Sequence, residues 1–514
     1  MEKNGMAYEI IEKAVAEYSL YADSEELMNL LKSENDEVDQ YIKLIIAAMF
    51  QDDSLAKTAL AEFYYDGNGV VKNVEKAVLM YEEAYNSGDV RAAFKLGWHY
   101  YFKNDRMRSI EYFEKCINHP EEFSQFDLGN CYANIGDCYA KNTSPDLGKA
   151  ISYLDIAVEK YSNGYSGYRL SELYSTKNSS YYDIAKAKKY LESGARNGNI
   201  YAVVSMAEKY AFGDEEFGIA QEENRAITLL EENKGSNSPE LFELLGRIYF
   251  FGDSDKKSYS EALQAFEKVL EIDKDYYKKG YIEQFIGYSF YMLDNDEEAI
   301  KYLSIADANG YRSYSGILGH MYYMKAKYNI AITHYRHAFD EETISILGCC
   351  EYMDLLSSND NSVCDYKEAY RIAEYGISKF NDVAFYTVKA RLVLSGVVEY
   401  GITKREAAEI MEDLTNYNCL KGEDYMILGD YYSEVRDFRN AESKYAEAFD
   451  KGIADAALTL GRMYESGAGT IIANVQTAVS WYRKAANAGC EEAQRELGCF
   501  TEKLFGGYKR VKRL

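Results

Sequence analysis

Proline is nearly missing from this 514-residue chain, occurring only at 120, 145 and 239. Proline removes a backbone donor and breaks helix interiors, so its scarcity permits long helical runs and leaves few rigid linkers. No Ser/Gly-rich stretch divides the chain either. No apolar run reaches the roughly 20 residues of a membrane helix. The N-terminus carries acidic residues before any apolar run long enough for a signal peptide, so a cytoplasmic protein without membrane contact is expected. Positive charge is short as well: 58 Lys plus Arg stand against 84 Asp plus Glu, a net charge of −26. Such a field repels nucleic-acid phosphates and attracts basic partners. It also keeps an elongated surface soluble, and both readings stand.

Cysteine pairs with metal-ligand spacing are lacking. The nine cysteines are odd in number and none forms Cys-x-x-Cys, which predicts reduced thiols. Cys131 and Cys138, seven apart, and the adjacent Cys349 and Cys350 read as small buried hydrophobes. No phosphate-binding loop, nucleophile elbow, zinc-protease motif or dinucleotide fingerprint occurs, so neither enzyme activity nor a cofactor is expected. Of the five histidines, His334 and His337 lie three apart on one helix, and His320 lies on the helix before it. They are the one metal-like constellation. No position specifies a carboxylate or fourth ligand, so no metal site is predicted.

What is abundant is self-similarity. Leu460-Gly461 is followed by Tyr464, Gly467, Gly469, Asn474, Ala478, Trp481-Tyr482, Ala485-Ala486, Gly489 and Ala493. A second copy runs from Leu60-Ala61 through Tyr64, Gly67, Gly69, Asn73, Ala77, Tyr81, Ala84 and Gly88 to Leu96-Gly97. The first-helix signature returns at Gly136, Ser171, Ala207, Gly246, Gly287, Gly319, Gly348 and Gly429, 29 to 41 residues apart save one double-length gap. A degenerate copy around Ala390 to Leu394, followed by Ala407-Ala408, fills that gap. Apolar residues at helical spacing on either side of a Gly- or Asn/Asp-containing break predict two antiparallel helices per unit. The signature Gly and the second-helix Ala mark where the helices approach most closely.

The Tyr-x-x-Gly-x-Gly loop and the Trp-Tyr-Arg-Lys-Ala-Ala run at 481–486 resemble the SEL-one-like repeat, a relative of the tetratricopeptide repeat with a longer internal loop. The middle units lack the double-glycine loop and look closer to plain tetratricopeptide repeats. The resemblance implies an all-α, right-handed α-solenoid used for assembling or recognising other proteins, bacterial in style. The expected organisation is an N-terminal helical cap over 1–50, about twelve repeats over 51–500, and a basic tail over 501–514 whose Lys509, Arg510, Lys512 and Arg513 read as flexible.

In tetratricopeptide-like stacks the residues one and four after the signature Gly face the groove. By that resemblance Trp98, Glu172, Glu208, Arg247, Tyr288 and His320 occupy the first position. Tyr101, Phe250, Tyr291, Tyr323 and Tyr352 occupy the second. The N-terminal part of the groove then looks acidic and the stretch from about 246 to 353 aromatic. Rings on a rigid frame favour binding; rings packed between helices are the other reading, because one residue of register moves each to another face. The expected function is a non-enzymatic scaffold or adaptor holding a peptide or helix in its groove, with basic partners suited by charge. The alternative is a peptide-sensing regulator that controls a partner enzyme through solenoid pitch. A homodimer through one end stays open.

Overall fold

The computed structural model describes residues 53–67, 71–252, 257–357, 364–399, 401–503 and 507–511. The expected cap over 1–50, Gly69, Lys512 and Arg513 lie outside them. The described residues fall into two compact units, one ending at Lys274 and the other starting at Asp275.

The first unit holds six antiparallel helix pairs. They are α1 (Ser54–Asp66) with α2 (Val74–Asn86), α3 (Val90–Phe102) with α4 (Arg106–Ile117), α5 (Gln125–Lys141) with α6 (Leu147–Tyr161), α7 (Gly164–Ser175) with α8 (Ile184–Arg196), α9 (Ile200–Phe212) with α10 (Glu223–Glu232), and α11 (Pro239–Phe251) with α12 (Tyr259–Ile272). The second unit holds six more: α13 (Tyr281–Met292) with α14 (Asp296–Ala308), α15 (Ser315–Met324) with α16 (Tyr328–Asp340), α17 (Ile346–Ser357) with α18 (Tyr366–Phe380), α19 (Val383–Leu394) with α20 (Lys404–Thr415), α21 (Gly422–Glu434) with α22 (Phe438–Asp450), and α23 (Ala454–Ser466) with α24 (Val475–Asn487). A short α25 (Glu491–Leu497) and a hairpin of β1 (Phe500–Glu502) with β2 (Tyr508–Arg510) complete the second unit. The chain folds as an all-α solenoid of helix pairs, and the degenerate copy is the pair α19/α20, with Ala390, Ala407 and Ala408 buried as its contact residues.

Local chemistry explains where helices start. Side chains of Asp53, Asp89, Asp105, Asp146, Asp183, Asp365, Asp382 and Asp437 each accept a backbone N–H of the first turn. A cap of this kind stabilises by about 1 kcal/mol. Eight of the 84 acidic residues are thereby committed to helix initiation. At the C-terminal end of α1, Gly67 holds φ at 79°, and Gly467 holds φ at 75° after α23. Side chains rarely adopt that region, which accounts for glycine at both places.

Pair packing repeats one motif. A methyl at Gly97 would lie 2.7 Å from the Phe113 ring, one at Gly246 the same distance from Phe266, and one at Gly319 the same distance from Tyr335. Leu154 fills the corresponding place opposite Gly136. The second-helix alanines 77, 226, 262, 299, 331, 369, 441 and 478 are all fully buried. Within each unit the first helices of successive pairs approach one another, α3 with α5, α5 with α7, α7 with α9 and α9 with α11, and likewise α15 with α17, α17 with α19 and α19 with α21. The first helices thus form the inner layer, and the second helices the more widely spaced outer one.

The C-terminal segment departs from the expected flexible basic tail. Phe500 pairs with Arg510 across the hairpin. The Arg510 guanidinium binds Glu465 and, at 2.6 Å, Glu496. Its charge finds two carboxylates on α23 and α25, which holds the strand down.

Candidate functional site

The inner layer of the first unit is a charge network. Asp137 on α5 has a side chain with no exposure, yet it takes ion pairs from Arg169 Nε at 2.7 Å and Lys141 Nζ at 2.8 Å. The Tyr101 hydroxyl donates to it at 2.7 Å. Burial pushes the Asp137 carboxyl up, but hydrogen bonds from Lys141 and Tyr101 and the charge of Arg169 hold it below the usual aspartate range. Arg169 also pairs with Glu172. Glu208 and Arg247 face each other at 3.6 Å, and Arg247 lies over the Phe212 ring. Glu172 and Glu208 therefore already have cationic partners within the fold. Trp98 is half-buried among Phe94, Tyr101, Phe102 and Phe113.

In the second unit, Tyr288, Tyr291 and Tyr323 are half-buried on inner-layer helices, and Tyr288 packs on Tyr314 with ring centres 4.5 Å apart. Phe250 and Tyr352 do not belong to an accessible face, contrary to expectation. They are 3% and 0% exposed. Phe250 packs on Phe266, the ring that also meets Gly246. Tyr352 stacks on Tyr335. The register fails at Tyr352 because Gly348 lies in the first turn of α17, beside Ile344, and does not make the mid-helix contact.

One cavity of about 370 Å³ opens on the inner layer. It is lined by Cys350 and Asp354 of α17, by Val383, Val388 and Arg391 of α19, and by Lys421 and Asp424 at the start of α21. Arg391 holds the buried Asp424 at 2.8 Å. Asp354 is exposed. Three consecutive first helices therefore supply apolar walls and both signs of charge to one recess. A larger cleft, about 840 Å³, lies in the first unit between α8 and α10, lined by Glu192, Arg196, Arg225 and Glu232.

The three histidines do not converge. His320 Nδ1 lies 2.9 Å from Glu351, which also accepts the Tyr335 hydroxyl. His334 and His337 instead meet Asp307 of α14, with Nδ1 atoms 3.1 and 2.9 Å from Oδ2. Ser315 donates to the other carboxylate oxygen. Burial raises the Asp307 carboxyl, while the bonds from His334, Ser315 and His337 outweigh it and bring it down to about 2. Asp307, Ser315 and Glu351 escape a reading of the sequence alone.

The Sel1 repeat profile matches residues 54–89, 123–162, 168–199, 243–268 and 454–490. These five segments, about a third of the chain, match the Sel1 repeat. Over 122 residues the chain is 30% identical to a putative sel1-like repeat-containing protein of Acanthamoeba polyphaga mimivirus, covering 24% of this chain and 21% of that protein. The match thus spans about a fifth of that relative's length. Among solved structures, a protective antigen of uropathogenic Escherichia coli strains displaying an SLR fold is 17% identical, with coverage of 95% and 89% and a TM-score of 0.44. A Sel1 repeat protein from Oxalobacter formigenes is 18% identical, with coverage of 60% and 86% and a TM-score of 0.41. No helix among the described residues is long and apolar enough to cross a membrane.

Proposed function

We propose that this chain is a non-enzymatic scaffold that binds a peptide or helix of a partner protein on the inner layer of its second unit. The recess between α17, α19 and α21 carries the reading: it is concave, part apolar, and offers Asp354 beside Arg391 and Lys421. Pockets of this size usually combine an apolar wall with a few convergent polar groups. Tyr291 and Tyr323 extend the same layer with partly exposed rings. Side chains of this kind give large contact area at low entropic cost. The first unit's carboxylates contribute less, because Glu172 and Glu208 are already paired within the fold.

The test is affinity capture of a partner followed by titration against the Tyr291→Ala/Tyr323→Ala double variant. Binding weakened by about 2 kcal/mol or more, with helicity and melting temperature unchanged, supports the reading. Undiminished affinity in a stably folded double variant removes the aromatic surface from the mechanism.

A further inference from the structure

The outer layer of the second unit contains a cluster that protein binding on the inner layer leaves unused. We propose that Asp307, His334 and His337 form a binding site for a divalent transition-metal ion of the zinc class, which ties α14 of one pair to α16 of the next. One ligand atom from each of the three residues lies within 4.8 Å of the other two. Both imidazole Nδ1 atoms already converge on a single oxygen, Asp307 Oδ2, at 3.1 and 2.9 Å. A tetrahedral zinc ion with ligand bonds of about 2.0 to 2.1 Å separates its ligands by roughly 3.3 Å. The protein holds the carboxylate oxygen only a few tenths of an ångström closer to each imidazole than that, so the ion enters by spreading them slightly. In neutral imidazoles the Nδ1 proton shifts to Nε2 as the metal takes its place, and no net proton is lost.

The donor set and its supports fit the same chemistry. Two imidazoles and one carboxylate suit zinc and its neighbours better than magnesium or calcium, which take oxygen ligands. Metal ligands work best when a second group fixes their orientation. Ser315 does this for Asp307 by donating to Oδ1, which also lies 3.1 Å from His337 Nδ1, while Oδ2 faces both imidazoles. The Tyr322 ring lies nearly parallel to His334, with centres 5.5 Å apart, and fixes that imidazole. Exposure grades across the cluster: the side chains of Asp307, His334 and His337 are 6%, 13% and 26% exposed. The site is therefore rooted in the protein and reaches solvent at His337, where water completes the coordination.

Its position gives it a consequence. Second helices are the widely spaced layer, and beyond this cluster the Arg312–Glu341 ion pair, at 3.9 Å, links the segments just after α14 and α16. An ion held by both helices fixes that spacing, which an inner-layer contact does not.

The experiment uses the full chain, dialysed against chelator and titrated with Zn²⁺ by calorimetry and with Co²⁺ by visible absorption. One ion per chain, the d–d bands of tetrahedral Co²⁺, no near-ultraviolet thiolate band and a higher melting temperature with Zn²⁺ are expected. Asp307→Asn should weaken Zn²⁺ binding at least tenfold, and His334→Gln/His337→Gln should abolish it. His320→Gln, whose partner is Glu351, should bind as the wild type does. Helicity by circular dichroism checks that each variant is folded. Absence of Zn²⁺ heat and Co²⁺ bands in the wild type overturns the proposal. So does a thiolate band, or unchanged binding in the folded double-histidine variant.

Discussion

Phe113 in the first unit and Tyr482 in the second fill the same place, against the signature glycine of their own pair. They differ by one oxygen. In the first unit the ring is a phenylalanine twice, at 113 and 266, with no polar atom to satisfy. In the second unit it is a tyrosine three times: the hydroxyl of Tyr335 donates to Glu351, that of Tyr445 to Asp430 at 2.7 Å, and that of Tyr482 to Glu465 at 2.9 Å. Each such carboxylate belongs to a first helix. The second unit thus tethers its two layers through a buried hydroxyl, whereas the first relies on packing there and on the Asp137 ion network at its inner layer. Part of the high tyrosine content is explained by this interior role, which a sequence cannot separate from surface recognition.

The strongest way to break the comparison removes the ring altogether. Phe113→Ala and Tyr482→Ala should each destabilise by about 3 to 5 kcal/mol, since both leave a large cavity. Chemical denaturation monitored by far-ultraviolet dichroism measures it, and a loss below about 1 kcal/mol at either site would show that the slot is not a core position. A finer cut removes only the oxygen. Tyr482→Phe should cost about 1.5 to 3 kcal/mol, the range for a hydrogen bond to a charged group. Equal stability of Tyr482→Phe and wild type would reduce the two units to one design.

The smallest expected effect is a pH dependence in the first unit. Asp137 has its carboxyl held below the ordinary value of 3.8, so the folded state favours its charged form. That contribution is fully present above the ordinary aspartate range and is lost as pH falls through the lower folded value. Between neutral pH and about pH 3 the wild type should therefore lose stability faster than Asp137→Asn. Parallel melting-temperature curves for the two would contradict the network.

How far the sequence could be read depended on whether a feature repeats. Gly461, Gly319 and the degenerate Ala390 recur against a ring or an alanine, so period alone located the pairs. Trp98 and Tyr101 share that frame, and the structure packs the two half-buried rings on each other. Tyr352 did not, because Gly348 sits in the first turn of its helix and the next turn is rotated inward. Asp307 was invisible for another reason. It joins His334 and His337 across 27 and 30 residues, from a neighbouring pair, and a unique contact between copies leaves no trace in the period. Arg510 misled by composition: a basic terminus reads as solvated until Glu465 and Glu496 are seen beside it.

That segment also changes the rule by which the pairs stack. Here α25 begins another pair but the hairpin takes the place of its second helix, with Phe500 packed near Tyr482 and Val511 bonded back to Cys499. The period is broken here: the twelve described pairs join helix to helix, whereas α25 is followed by strands, with β2 set against α24.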